Sequence, residues 1–246
     1  MDIIRVSNLS VGYDGTPVLS HLDFGVPRGR VTVIVGESGS GKSTLLKTLI
    51  GLLPPITGDV VLAGRPIDFR SEDDLRQLYA RIGVLYQTSA LLNSLTLYEN
   101  IALPLRIRRP DQPADEESAR VAEMLGRVGL QGSETKFPYE LSGGMRKRAA
   151  VARAMVLDPE IVFCDEPSAG LDPITATGID SLLKNLCQEH GMTFVVVTHE
   201  LRSIERIADR IILIRDGAIR FSGGLQDLER TRDPYVKSFF LRTANP

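Results

Sequence analysis

Residues 36–43 read Gly-Glu-Ser-Gly-Ser-Gly-Lys-Ser, a glycine-rich segment that ends in a lysine and a serine. An apolar run over 31–35 precedes it and a helix-forming stretch over 44–50 follows it. Glycines let successive N–H groups approach one phosphate chain, and a helix beginning near Lys42 adds further unpaired N–H groups. Lys42 can then reach the β- and γ-phosphates, and the Ser43 hydroxyl can bind Mg²⁺. The pattern predicts a nucleoside triphosphate site made of Gly36, Glu37, Ser38, Gly39, Ser40, Gly41, Lys42, Ser43 and Thr44.

Two adjacent carboxylates, Asp165 and Glu166, end the apolar run 161–164. Ligands bind at the carboxyl ends of strands in a parallel sheet. Asp165 is therefore placed to hold Mg²⁺. Glu166, expected on the other side of the strand, could polarise an attacking water. An isolated pair could equally be a solvated turn, but the phosphate loop upstream favours the catalytic interpretation.

Composition limits the class of protein. With 246 residues, 43% of them hydrophobic and 24% charged, the chain can bury a sizeable core. A net charge of −2 gives no bulk attraction to nucleic acid or anionic membrane. No apolar run approaches the roughly 18 residues that span a bilayer, and residues 1–6 are too short and polar for a secretory signal. Cys164 and Cys187 are expected as free thiols in a reducing compartment. Any membrane role should therefore come through a partner.

Strand-like and helix-like segments alternate, which predicts an α/β fold with a mainly parallel central sheet. Predicted strands cover 3–9, 21–26, 31–35, 59–62, 81–86, 161–164 and 193–198, with a hairpin over 211–215 and 218–222 around Asp216 and Gly217. The chain turns helical from about 91 to 157, most clearly over 116–128 and 145–157, and again over 225–240. Residues 108–115 are the one linker-like stretch, and no internal repeat is evident.

A third motif, Leu141-Ser142-Gly143-Gly144-Met145, precedes an alanine-rich helix. Ser142 suits an N-cap, and the two glycines let a backbone pass close to an anion. Considered alone this is an ordinary helix start. Its position 20 residues before Ile161 gives it a more specific meaning.

Together these motifs resemble the nucleotide-binding subunit of ABC transporters over nearly the whole chain. The resemblance implies that Gln87 contacts Mg²⁺ and couples to a helical subdomain. It also implies that Ser142, Gly143 and Gly144 approach the γ-phosphate of ATP held by the other protomer. Asp172, within Ser-Ala-Gly-Leu-Asp, matches the loop joining two protomers. His199 matches the switch histidine, which makes Glu166, His199 and Gln87 the expected catalytic set. Tyr13 matches the aromatic that stacks on adenine.

The resemblance implies a phosphate-loop NTPase core with an N-terminal antiparallel portion and an inserted α-helical subdomain. Residues 1–246 are expected to form one domain, with the core at 1–88 and 159–246 and the helical subdomain at 89–158. The expected partners are a second copy in a head-to-tail homodimer and an integral membrane permease, and no nucleic acid. The expected location is the cytoplasmic face of the inner membrane.

The motif at residues 141–145 matches the signature of this family, and we call it the signature below. Met145 departs from its commonest form, which has Gln at this place. A thioether accepts hydrogen bonds only weakly, so a polar contact from this side chain is lost while the serine and glycine amides remain. The Leu-Ser-Gly-Gly-Met sequence is similar to that of the ATPases of Mla/Mce-type lipid-trafficking systems. Residues 87–96, 99–106 and 233–240 are similar to the same group. This implies lipid transport and a lipid-binding Mce-like protein in the same complex.

Two alternatives stay open. Amino-acid importer ATPases share parts of these segments, so the transported molecule could be a polar solute. A soluble ABC-type ATPase acting on ribosomes or DNA is the third possibility, although the chain has one nucleotide domain and no heptad insertion.

Four leucines could contact the permease or form a small core of the helical lobe. They are Leu91, Leu92, Leu95 and Leu97.

Overall fold

The computed structural model describes residues 1–241, in which strands and helices alternate as expected for an α/β fold. The strands are β1 (Asp2–Tyr13), β2 (Thr16–Pro27), β3 (Val31–Gly36), β4 (Thr57–Leu62), β5 (Arg65–Pro66), β6 (Ile82–Leu85), β7 (Ile161–Asp165), β8 (Thr193–Val197), β9 (Arg210–Arg215) and β10 (Ala218–Gly223). The α-helices are α1 (Lys42–Leu49), α2 (Glu72–Arg81), α3 (Leu97–Arg108), α4 (Ala114–Arg127), α5 (Gly143–Met155), α6 (Pro173–His190), α7 (Leu201–Ile207), α8 (Leu225–Arg230) and α9 (Pro234–Leu241).

Six strands form the central sheet in the order β10-β9-β3-β8-β7-β6. All neighbours are parallel except β10, which pairs antiparallel with β9. Every residue of β3 and β8 is buried, which is typical of parallel strands covered on both faces. The prediction of a mainly parallel central sheet is confirmed. Since parallel strands end at one edge, the residues after β3, β6, β7 and β8 lie near each other.

A second, antiparallel sheet has the order β2-β1-β4-β5, which confirms the expected N-terminal antiparallel portion. β1 and β2 are joined by Asp14 and Gly15, both with positive φ (51° and 76°), as a type I′ hairpin turn requires. One apolar cluster fills the space between the two sheets and includes Ile34, Leu45 and Phe163, each fully buried. This cluster fixes α1, and with it the phosphate loop, against the sheet.

Helices α3, α4 and α5 lie between β6 and β7 in the chain and share a core with the other sheet face, which confirms the predicted helical insertion. Leu97 is fully buried in that core, whereas Leu92 is 45% exposed. The four leucines considered for permease contact are therefore divided between core and surface. The subdomain boundaries at 89 and 158 stay a prediction.

Two helical regions differ in detail from the sequence prediction. Helix α2 was not anticipated, although Ser71 caps it by accepting a hydrogen bond from the Asp74 amide. The helical tail expected over 225–240 is present as two helices, because α8 ends at Arg230 and α9 begins at Pro234. Proline cannot continue a helix from the preceding turn, and the Asp233 carboxylate accepts hydrogen bonds from the first amides of α9.

Candidate functional site

The phosphate loop connects the buried strand β3 to α1. Gly39 and Gly41 have φ of 79° and 96°, a left-handed conformation that favours glycine. A Cβ on Gly41 would come within 2.8 Å of the Leu19 side chain, so a larger residue does not fit there. Within the loop, the Ser40 hydroxyl is buried and has no hydrogen-bond partner among residues 1–241. The loop thus has tight curvature and an unused donor close to the proposed phosphates.

Lys42 is 9% exposed, and its ammonium donates to the carbonyl oxygens of Gly36 (2.8 Å) and Glu37 (2.9 Å). Burial lowers the pKa of Lys42, while the Glu166 and Asp165 carboxylates act in the opposite direction. The side chain is therefore held over the loop as a cation facing two carboxylates.

A cleft of about 510 Å³ opens at the carboxyl edge of the central sheet. Its volume lies in the range typical of small-molecule sites. The lining residues are Gly36, Glu37, Ser38, Gly39, Lys42, Ser43, Gln87, Asp165, Glu166, Val197, His199, Leu201 and Phe239. Three separate sequence motifs and Gln87 therefore meet around one cavity.

Asp165 and Glu166 both line this cleft, so the expectation that Glu166 points to the other side of the strand is wrong. Strand β7 ends at Asp165, and Glu166 has a φ of 48°. This left-handed residue ends the alternation of side chains along the strand. Burial, followed by the neighbouring Glu166 charge, raises the pKa of Asp165. The two carboxylates thus form one local cluster of negative charge opposite Lys42.

Glu166 is fixed at both carboxylate oxygens. Thr198 Oγ1 donates to Oε2 at 3.1 Å, and His199 Nδ1 lies 2.7 Å from Oε1. Thr198 and His199 directly follow β8, which neighbours β7 in the sheet. The sheet order therefore places a histidine beside the carboxylate proposed as a base.

Magnesium would find a suitable oxygen donor set here. The Ser43 hydroxyl, the Gln87 amide oxygen and the Asp165 carboxylate all border the cleft, and Mg²⁺ prefers oxygen ligands. Within residues 1–241, no group of three or more His, Cys, Asp or Glu side chains could hold a metal ion by itself.

Tyr13 does not line the cleft. It ends β1, is 45% exposed, and its hydroxyl lies 3.4 Å from the Lys47 ammonium of α1. Hydrogen bonds to the Thr44 and Lys47 side chains lower its pKa. Its ring is available at the surface next to the phosphate-loop helix, and adenine stacking stays a prediction.

The signature residues also lie outside the cleft in the single chain. Ser142 caps α5 by accepting the Met145 amide hydrogen bond (3.2 Å), as predicted. A Cβ on Gly144 would come within 2.4 Å of Thr175 on α6, so packing between helices also requires glycine there. Asp172 caps α6 by accepting from the amides of Ile174 and Thr175. One chain therefore does not bring these residues to Lys42.

Three residues of interest were missed from the sequence. Lys147 on α5 is 5% exposed and donates to the carbonyl oxygens of Gln87 and of Glu166 (3.3 Å). A lysine in helical register with buried Ala150 and Val151 was the available signal. Phe239 of α9 lines the cleft, and the Tyr235 hydroxyl donates to Glu37 Oε1 at 3.0 Å.

Both cysteines are buried and free, as expected from the sequence. Burial raises the pKa of the Cys164 thiol to about 12. This thiol is therefore not a nucleophile near neutral pH.

Comparison with known proteins adds independent observations. A family model described as ABC transporter matches residues 19–169. The chain is 38% identical over 237 residues to "Probable ribonucleotide transport ATP-binding protein mkl" of Mycobacterium bovis, covering 96% of this chain and 66% of that protein. It is also 38% identical over 244 residues to "Methionine import ATP-binding protein MetN" of Brucella abortus, covering 99% of this chain and 66% of that protein. The chain thus spans slightly less than two thirds of these relatives.

Experimental structures show the same architecture. CbiO1 of Clostridium perfringens, described as part of the ABC transporter complex cbiONQ, superimposes with a TM-score of 0.87 at 29% identity, covering 99% of this chain and 96% of that one. The ATP-binding cassette MJ0796 is described as a dimer in a post-hydrolysis state with ADP and Pi. It superimposes with a TM-score of 0.80 at 32% identity, covering 90% of this chain and 98% of that one.

Proposed function

The chain belongs to the ABC transporter family, and on that premise we propose that it is the ATP-hydrolysing motor subunit of a transport system. Its cargo is a phospholipid or another hydrophobic molecule that moves through a separate membrane permease. One observation carries the enzymatic part of this proposal. The phosphate loop, the two carboxylates after β7 and the histidine after β8 converge on one cleft.

In this mechanism, the phosphate-loop amides and Lys42 bind the β- and γ-phosphates of ATP. Glu166 accepts a proton from the attacking water, and His199 and Thr198 hold its carboxylate in place. The Lys42 ammonium is held at the phosphate loop by the Gly36 and Glu37 carbonyl oxygens, where it can stabilise charge on the γ-phosphate. Bound Mg²⁺, held by Ser43, Asp165 and Gln87, would neutralise phosphate charge.

The signature supports a dimer as the working form. Ser142, Gly143 and Gly144 do not line the cleft that contains Lys42 of their own chain, so they have a role in hydrolysis only if a second copy presents them. A head-to-tail pair related by a two-fold axis forms two equivalent sites of this kind. The cassette MJ0796 is described as dimeric, which supports this assembly. Release of phosphate removes the group that joins the protomers, and opening of the dimer moves the permease.

Lipid as cargo rests on the Met145 signature and on the similarity to Mla/Mce-type ATPases. An Mce-like lipid-binding protein would then belong to the same complex on the far side of the permease. The second candidate is a polar solute importer, which the similarity to the methionine import protein favours. The mycobacterial relative carries the name of a ribonucleotide transport protein. These names describe different cargos, so the cargo must be measured directly.

Attachment to the membrane would occur through the permease at the cytoplasmic face. Within the part of the chain that the structure describes, no helix is both long and apolar enough to cross a bilayer. The segment 88–106, which follows Gln87 and includes the exposed Leu92, is the proposed docking surface. A short permease helix in a groove of this surface would transmit the opening and closing of the dimer.

The test is isolation of the tagged chain from membranes in mild detergent, followed by mass spectrometry of proteins and lipids. A tag-only sample and a Leu92→Asp variant are the matched controls. We expect a permease and phospholipid enriched over the tag-only sample and reduced with the variant. A polar solute receptor without enriched lipid would support the importer instead. Ribosomal proteins or DNA without a permease would contradict the transport assignment.

A further inference from the structure

Lys147 joins three parts of the molecule that the proposed function uses separately. It lies on α5, little more than one helical turn after the signature serine. Gln87 follows β6, Glu166 follows β7, and these strands are neighbours in the sheet. The Lys147 ammonium lies between the two segments and donates to a backbone carbonyl of each. One buried cation thus connects the signature helix to both sides of the catalytic cleft.

A second cation on the same helix provides an internal comparison. The Arg153 guanidinium donates to the carbonyl oxygens of Ser89 (2.9 Å) and Ala90 (2.7 Å), so it holds the same loop after β6. No hydrogen bond joins Arg153 to Glu166 in the structure as described for residues 1–241. Both cations hold the loop, but only Lys147 also contacts the segment that carries the proposed base.

We propose that Lys147 is a positioning residue that fixes the Glu166 backbone and the Gln87 loop relative to the signature helix. Glu166 is in a left-handed conformation and its side chain is held by residues after β8. The hydrogen bond that Lys147 donates to the Glu166 carbonyl oxygen ties this residue to α5. Displacement of α5 during closure of the dimer therefore shifts the base. This inference rests on the proposed function, because it assumes that Glu166 is the base.

The first measurement uses the nucleotide-free full chain and needs no activity. Lys147→Met keeps the buried aliphatic stem but removes the donors and the charge, and Arg153→Met is the matched control. By hydrogen exchange, we expect Lys147→Met to speed exchange at least fivefold in peptides covering 86–90 and 165–169. Arg153→Met should do so only over 86–90. Unchanged exchange over 165–169 in Lys147→Met would overturn the proposal.

The second measurement is turnover and ATP affinity on the same proteins. Lys147→Met should lower kcat at least tenfold while the Kd for ATP stays within threefold, and Lys147→Arg should recover kcat to within threefold of the parent. Arg153→Met, which loosens only the Gln87 loop, should lower kcat less than Lys147→Met does. A Kd that rises as much as kcat falls would contradict a positioning role. Lys147→Gln, whose shorter side chain reaches one carbonyl at most, replaces Lys147→Met if that variant does not fold.

The two proposals fail in different ways. A parent protein that binds no ATP and releases no phosphate would remove the proposed function, while the exchange comparison would still test whether Lys147 bridges the two segments. A parent that hydrolyses ATP together with a Lys147→Met variant of parental kcat would remove the positioning role alone.

Discussion

Replacing Glu166 with glutamine tests the proposed base with little change in structure. The two side chains have nearly the same volume, and the partners of Glu166 are a threonine hydroxyl and an imidazole nitrogen. A hydroxyl can donate or accept, and the imidazole can change tautomer, so both contacts persist with an amide. The substitution therefore removes the ability to accept a proton and keeps the position of the group.

A positioned general base contributes roughly 10²–10⁴ in rate. Because each tenfold corresponds to about 1.4 kcal/mol, Glu166→Gln should raise the barrier by about 3–5 kcal/mol. Binding of ATP should change little, because Lys42 and the phosphate-loop amides are untouched. The expected result is a kcat lowered at least 100-fold with a Kd within about threefold of the parent.

The assay is steady-state phosphate release, with the Kd measured separately by equilibrium binding of ATP. Glu189→Gln makes the same chemical change at an exposed position of α6 and should retain parental turnover. A kcat for Glu166→Gln within a few-fold of the parent, in a protein of unchanged melting temperature, would refute the assignment of Glu166 as the base.

Two further predictions concern stability. Asn100 is fully buried and bonds to the Leu92 backbone N–H and carbonyl and to the Leu95 carbonyl, so Asn100→Ala should cost about 2–4 kcal/mol in chemical denaturation; a loss below 1 kcal/mol would contradict this role. The Arg106 guanidinium lowers the pKa of Glu117, so this pair stabilises the fold above the ordinary carboxyl pKa of about 4.3 and loses that effect as the pH falls through the lowered value. Glu117→Gln should therefore lower the free energy of unfolding by about 0.5–1 kcal/mol at pH 7, a difference that disappears in acid, and a difference that stays constant with pH would contradict the pairing.

Much of the fold could be predicted because its signals are local. The buried strands β3, β7 and β8 are continuous apolar runs, and Ser142 caps α5 where the sequence placed a cap. The turn at Asp216 and Gly217 has positive φ at both residues, as that dipeptide predicts. These features depend on neighbouring residues in the chain, so no tertiary information was needed.

The missed features depend on contacts between distant segments. The left-handed conformation of Glu166 turns its carboxylate into the same cleft as Asp165, whereas strand alternation alone predicts opposite sides. The burial of Lys147 follows from the packing of α5 on two loops. Likewise, α9 returns to the phosphate loop through Tyr235, 198 residues from Glu37 in the chain. Sequence spacing contains no signal for pairs so far apart.

The central claim is that each ATP site combines Lys42 of one copy with Ser142 of another. Lys42→Ala and Ser142→Arg proteins should each be inactive, because each homodimer then lacks one half of both sites. In an equal mixture, half of the dimers are mixed and each contains one intact site, so phosphate release should reach about a quarter of the parental rate. A mixture as inactive as either protein alone, although mixed dimers are shown to form, would contradict the shared site.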